Sequence, residues 1–410
     1  AVGEDALHVA AGRFCNLLDP VSGEELGRYE VPKSLADEDH EWGYLALADD
    51  LLVGSVTRPG ASFRQQGKWM SPLIWGNRQP LVTSRALFAF AAGEAGPAWT
   101  FSPEAGVVIN STLAISEGQL FFVEGGMAVA KQDEDGRLTL ADLLEPGAFL
   151  VSLDVRSGKV RWRRPVDLTC MHHILYLSAA SGKVLVSGSQ YVEKRIRYEL
   201  KTYRMEDGEL LWENHQKPDY DDVLGGGHGE QIQHLAIRGD TIYGPGFACV
   251  FSTGEKHDGW VWHKSHKCTT VSLSARSAYS RFNRAKNPYQ FDLATGKPER
   301  LTSITRPGCY INIIPAAGMV LIPDQSSGCT CEYPIQTSLA LSPVSKAHPK
   351  PADLVQPAPC RGSLWPGAAL RFSEFPTTSA RPREHQSGLL RAECRGKCRR
   401  RMQQDKRRQD

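Results

Sequence analysis

Five residues late in the chain have the types and spacing to hold a metal ion: His266, Cys268, Cys309, Cys329 and Cys331. Cys268 in HKCTTVSLS and Cys309 in RPGCYINII each stand just before an apolar hairpin, in successive repeats, so equivalent positions would set them side by side. Cys329 and Cys331 alternate along the next strand and share a face, as His266 and Cys268 do on a regular strand. One imidazole and four thiolates make a soft donor set suited to zinc, copper or an iron–sulfur centre. The same sulfurs could form two disulfides, Cys268 or Cys309 with Cys329 or Cys331, in an oxidising compartment, or stay as buried thiols; spacing does not separate the three.

Other candidates are weaker. In GGGHGEQIQH, His228, Glu230 and His234 would meet at a metal only if the loop folded back, and polar loop residues are the simpler reading. His172 and His173 are adjacent before a strand and point to opposite faces, which makes a poor bidentate pair. Trp260, Trp262 and His263 in HDGWVWHKSHKC could stack on a planar ligand, although alternate Trp residues on a strand more often pack between sheets. Cys15, Cys170 and Cys249 stand on apolar strands and read as core. EKRIR, from Glu193 to Arg197, reads as a solvated outer strand. The chain holds no nucleophile elbow, phosphate loop or dinucleotide fingerprint.

The elements that must position these residues repeat. An apolar strand, a polar turn and a second apolar strand recur from Tyr44, Ser111, Ile174, His234, Val271 and Ile311, and LHVAAGRFCNLLD at the start makes seven copies. A second unit, Asp then Gly four residues on, recurs at Asp19–Gly23, Asp154–Gly158 and Asp292–Gly296, with Arg204–Gly208 as a variant; Trp162 and Trp212 follow their Gly by four residues. Asp caps a tight turn, Gly takes the left-handed conformation, and Trp would face the neighbouring sheet. One inner and one outer hairpin make a four-stranded sheet that cannot bury both faces alone; a ring of six to eight does so. The expectation is an all-β chain, a β-propeller of about seven four-stranded antiparallel blades over residues 1–343, incomplete at the N-terminus, with insertions at Arg58–Leu81 and Ala128–Pro146.

LVSLDVRSGKVRWRR, from Leu150 to Arg164, resembles the repeat of pyrroloquinoline-quinone (PQQ)-type propellers, an Ala/Leu-x-Asp-x-x-Thr/Ser-Gly-Lys-x-x-Trp unit, and KTYRMEDGELLWEN and FDLATGKPERL are weaker copies. His263 to Pro343 is similar to the C-terminal propeller of large planctomycete-type bacterial proteins, with a His/Gly-x-Cys strand, an Arg-x-Gly-Cys strand and a Gly-Cys-x-Cys-x-Tyr hairpin. The quinone enzymes of this family hold PQQ under a vicinal Cys-Cys disulfide, beside a Trp, a calcium ion and an Asp base. No Cys-Cys pair occurs in this chain, and bound PQQ is not expected; no Cys-x-x-Cys-His occurs either, which excludes heme c.

Charge divides the chain. Residues 345–410 carry 15 Lys and Arg against 6 Asp and Glu, leaving 33 against 40 before them. The acidic first part argues against nucleic-acid binding. The basic Pro/Arg-rich stretch 344–410 has no alternation and is expected to be disordered, or artefactual through a frameshift. No apolar run spans a membrane. The first residues already read as strand, turn and strand, so the chain is expected to begin inside a repeat of a longer protein. The resemblance implies a periplasmic or extracellular bacterial protein. Two functions follow: a non-catalytic binding propeller with a protein or small-molecule partner at its channel mouth, or a quinone- or metal-dependent oxidoreductase using the His/Cys cluster.

Overall fold

The computed structural model describes residues 1–342 apart from 4, 36–39, 62–79, 105, 127–135, 194, 218–232, 258–269, 283–286, 308–310 and 324–336. They lie in the first of two units, Ala1–Val344; the basic stretch from Ser345 onward lies outside the described residues.

Almost all regular structure is β, arranged as seven antiparallel sheets in chain order among the described residues. Each of the seven sequence hairpins forms. Glu41–Ala48 pairs with Leu51–Thr57, Ala114–Ser116 with Gln119–Gly125, and Leu175–Ala180 with Lys183–Val192. Ala236–Arg238 pairs with Thr241–Gly244, Ser272–Leu273 with Ser277–Phe282, Ile314–Ala316 with Met319–Ile322, and Leu7–Ala11 with Phe14–Leu18. The turns at Glu117–Gly118, Ser181–Gly182 and Ala317–Gly318 place both central residues at positive φ, the two-residue geometry whose twist matches antiparallel strands.

The fourth sheet is the fullest regular example, with Leu175–Ala180, Lys183–Val192, Arg195–Arg204 and Leu210–Gln216 side by side. Four strands per sheet is not the rule. The second and sixth sheets also have four; the first, fifth and seventh have three among the described residues. The third has seven, because both insertions join it: Leu81–Ser84 pairs with Val107–Ile109 and with Arg137–Leu138. The second insertion also forms a short helix, Leu140–Leu144. Thr139 caps it by accepting from Asp142 N, and Leu140, Leu143 and Leu144 are buried.

The first sheet is out of phase with the sequence reading. Leu7–Ala11 and Phe14–Leu18 run directly into the Asp19 turn, as the second and third strands do elsewhere, so this hairpin is not an inner one. Val2 bridges Leu7 on the remaining side.

Successive sheets pack face to face. Among the described residues six apolar clusters lie between neighbours in chain order: one joins Cys15 and Val31 to Trp42 and Phe88, the next joins Leu87 and Trp99 to Phe122 and Val151, and the next joins Phe121 and Trp162 to Val186 and Tyr203. The series continues from Leu185 and Tyr198 to Phe247, from Tyr243 to Phe291, and from Tyr279 to Ile322. Alternate residues of one strand therefore serve two interfaces, as Val184 and Val186 face the third sheet while Leu185 faces the fifth. Each fully buried Phe in these clusters contributes roughly 1.5–3 kcal/mol.

A second contact ties neighbours at the turns. Gly158, Gly208 and Gly254 have φ of +67°, +74° and +76°, and a Cβ on each would lie 2.6, 2.7 and 2.6 Å from the ring of Trp99, Trp162 and Trp212 on the preceding sheet. Each indole donates to the carbonyl of the same turn: Trp99 Nε1 to Val155 O (2.8 Å), Trp162 to Met205 O (2.9 Å) and Trp212 to Phe251 O (3.0 Å). The glycine is required twice, once by its dihedral and once by the ring. Gly23, at φ +74°, has nothing within 4 Å. Gly208→Ala is therefore expected to lower the denaturant midpoint by an amount equivalent to about 3 kcal/mol, and Gly23→Ala by about 1 kcal/mol, in urea melts followed by circular dichroism; equal losses would show that the indole adds nothing.

Candidate functional site

The strand registers give every sheet two unlike ends. At one end lie the short turns at 49–50, 117–118, 181–182, 239–240 and 317–318, together with the Asp-type turns. In these, Gly N donates to the carbonyl four residues back: Gly23 to Asp19, Gly158 to Asp154, Gly208 to Arg204, Gly254 to Val250 and Gly296 to Asp292. The two turns at this end are stitched together by Ala92 N to Asp50 O, Val155 N to Gly118 O, Met205 N to Gly182 O, Phe251 N to Asp240 O and Leu293 N to Arg276 O. Pro20 holds the same place in the first sheet and has no N–H to give.

At the other end the second strand hands over to the third, and one sheet to the next. The chain leaves at Thr57, Gly125, Val192, Phe282 and Ile322 and returns at Ala86, Ala148, Arg195, Asn287 and Leu339. The long connections therefore all belong to one end, the arrangement in which a rigid scaffold presents functional loops. The sequence-read candidates lie between described strands in the sequence. His228 and Glu230 lie between Gln216 and Ala236, and Trp260, Trp262, His263, His266 and Cys268 precede Ser272. Cys309 lies between Arg300 and Ile314, and Cys329 and Cys331 between Ile322 and Leu339. All of these candidate residues lie outside the described residues.

The described residues near that end carry buried charge. Glu124 is fully buried and accepts from Arg163 Nε at 2.9 Å and from Gly106 N at 3.2 Å. The Arg163 guanidinium lies 3.3 Å over the Phe149 ring. In the fourth sheet Glu199 accepts from Gln190 Nε2 at 2.7 Å and from Arg197 Nε at 2.5 Å. Between the third sheet and the second, Ser84 Oγ lies 2.5 Å from Asn110 Oδ1 and 2.8 Å from Ser55 Oγ, which itself accepts from Tyr44 N at 2.9 Å. Arg281 and Arg306 are fully buried beside the last two sheets. Charge-assisted bonds in a low-dielectric setting fix geometry, so these groups hold the bases of the connections in place.

The remaining candidates are placed individually. His172 is exposed and His173 buried; they lie in the bend before Leu175–Ala180, where both backbone N–H groups donate to Ser189 O. His234 is exposed at its edge, with its ring 4.7 Å from that of Tyr176. Cys15 and Cys249 are buried free thiols that burial pushes up to about 11 and about 12, and partly buried Cys170 is raised for the same reason. They stay protonated at neutral pH and behave as core. EKRIR is not an outer strand: it is the tip joining Lys183–Val192 to Arg195–Arg204, Ile196 is buried, and Arg197 is bound to Glu199. Among the described residues no three His, Cys, Asp or Glu side chains could share a metal.

Sequence reasoning missed Glu124, Arg163 and Glu199. Their only signal is a charge inside an apolar strand, as in QLFFVEG, which marks either an outward face or a buried pair.

No family model and no curated protein matches the chain. Among solved structures it is similar to BamB from Moraxella catarrhalis, at 12% identity and a TM-score of 0.37 over 79% of this chain and 89% of that one. It is also similar to the quinohemoprotein alcohol dehydrogenase from Comamonas testosteroni, at 12% identity and a TM-score of 0.40 over 68% of this chain, spanning 50% of the enzyme's length.

Removing Arg163 would leave the Glu124 carboxylate buried without its cation. Arg163→Ala is expected to destabilise the protein by about 3 kcal/mol, with Arg163→Lys recovering only part, because an ammonium lacks the planar face that lies on Phe149. Chemical denaturation of the two variants checks this; full recovery in the lysine variant would reduce the contact to simple charge.

Proposed function

We propose that the seven sheets form the blades of a PQQ-like β-propeller, and that the chain is a binding module of an exported bacterial protein whose partner or ligand engages the end carrying the long connections. The observation that carries this reading is the division between ends: tight, mutually stitched turns at one, and at the other the long connections, one of them rooted on the buried Glu124–Arg163 pair. Binding functions need variable loops on a stiff base, and a base this fixed adds little ordering entropy to an encounter. The serial packing of sheets through paired apolar clusters supports the propeller, since a blade buries both faces only between two neighbours.

The oxidoreductase reading rests on His266, Cys268, Cys309, Cys329 and Cys331, as a metal site or beside a quinone.

A photo-reactive benzophenone side chain at exposed Arg195, on the loop-bearing end, is expected to give discrete adducts in extract of the producing organism, and one at exposed Ser181 none. Adducts at Ser181 alone would reverse the assignment of ends. Elemental analysis, an absorption spectrum and a thiol count on the purified full chain decide the chemistry. A stoichiometric metal lost on Cys329→Ser would replace the binding reading by the redox one. Two disulfides with neither metal nor visible absorbance are the expected result.

A further inference from the structure

The connection that carries the chain from the third sheet into the fourth, Asp167 to Ile174, is held by few bonds. Asp167 Oδ1 accepts from Thr169 N at 3.0 Å and from Thr169 Oγ1 at 2.6 Å, and Met171 N donates to Leu168 O at 2.9 Å. It meets the sheet at Ser189 O, which takes His172 N at 2.9 Å and His173 N at 3.1 Å. Beside it, Gly188 leaves room for Met171, whose side chain would lie 2.5 Å from any Cβ there. The apolar anchors are Leu168 and Met171, buried in the cluster between the third and fourth sheets, and Ile174 at its end, buried in the next cluster.

Into this seat goes an imidazole that nothing satisfies. His173 is 2% exposed, and neither Nδ1 nor Nε2 has a hydrogen-bond partner. Its ring meets Tyr191 of Lys183–Val192 edge to face, with centroids 4.5 Å apart and planes at 70°. His172, on the same connection, disfavours a positive charge on the ring. From Arg195–Arg204, Glu199 is committed to Arg197 and Gln190. A neutral ring is tolerated here as an aromatic spacer; an imidazolium would be a buried cation with no acceptor, which the protein avoids by moving it to water.

We propose that Asp167–Ile174 is an acid-sensitive latch at the loop-bearing end, closed by neutral His173 and opened when that ring takes up a proton. The proposal does not depend on what binds there. Burial and His172 push His173 down to about 4, against an ordinary value of 6.5. The sign follows: the open form binds the extra proton, so the closed form is fully favoured above about pH 6.5 and loses ground as pH falls toward 4. Between pH 7 and pH 5 the open population should rise roughly twentyfold.

Cys170 sits within the latch, while Cys15 and Cys249 are buried in other interfaces and serve as internal references. The full chain is labelled with 4,4′-dithiodipyridine, which reacts in acid, and the adducts are mapped by mass spectrometry. The expected result is a roughly twentyfold gain in Cys170 labelling relative to Cys249 from pH 7 to pH 5, absent in His173→Phe. A flat wild-type ratio, an equal rise at all three thiols, or an undiminished rise in His173→Phe would each overturn the latch. If His173→Phe lacks the native circular dichroism spectrum at pH 7, hydrogen exchange of the 167–174 peptide in the wild type, corrected for intrinsic rate, takes its place, and no acid-induced gain there overturns the proposal.

Discussion

The seat of each tryptophan on the next sheet's glycine is the contact on which the described architecture depends. Apolar faces alone would let two sheets slide, because a layer of Val, Leu and Phe has many near-equivalent registers. The indole removes that freedom. Trp162 fills the space over Gly208 and donates to Met205 O, so both its position and its direction are fixed. The same geometry at Trp99 and Trp212 carries the constraint through four consecutive sheets. Tyr29 of the first sheet approaches the corresponding turn of the second, where Gly93 N donates to its hydroxyl at 3.2 Å. The result is a chain of pairwise locks, each needing only its neighbours, which suits a repeat architecture.

With one end locked, the other is free to differ from sheet to sheet, and the buried charges mark where that variation is attached. Glu124 gathers Arg163 and the amide of Gly106, and so ties the segment before Val107–Ile109 to two strands of the third sheet. Glu199 gathers Gln190 and Arg197 across the hairpin tip. Such pairs add little net stability compared with an apolar core, but the wrong geometry leaves a buried charge unsatisfied. Their effect is to specify one arrangement at the bases of the connections, where packing alone would permit several.

Much of this was legible in the sequence. Period-2 alternation bounded by Gly, Asp and Ser located all seven hairpins, and the Gly-to-Trp spacing identified Trp162 and Trp212 as contacts to a neighbour. What failed did so for physical reasons. The phase of the first sheet was misread because an inner and a middle hairpin have the same alternation; only the Asp19 turn that follows tells them apart. The extra strands Leu81–Ser84, Val107–Ile109 and Arg137–Leu138 are short, and their pairing is between segments far apart in the chain. Trp99 was passed over because it follows Gly93 by six residues rather than four. The charge pairs are invisible for the same non-local reason.

The turn at Val250–Gly254 shows which part of the repeat is indispensable. It lacks the Asp that gives the pattern its appearance, and the Arg204 turn lacks it as well, yet both make the same backbone bonds as Asp19, Asp154 and Asp292. The carboxylates are held below the ordinary range by hydrogen bonds to their own turns, with Asp154 at about 2 through Arg161 and Ser157. These bonds lie at the protein surface, where water competes for every partner, and their loss is readily absorbed. Arg204 substitutes by pairing with Asp207 and Glu209 instead. No such exchange is open to the glycine under an indole, since any side chain there meets both a forbidden dihedral and the ring. A search for further copies of this repeat should therefore be anchored on glycine and on the aromatic residue of the preceding sheet, with the aspartate left free.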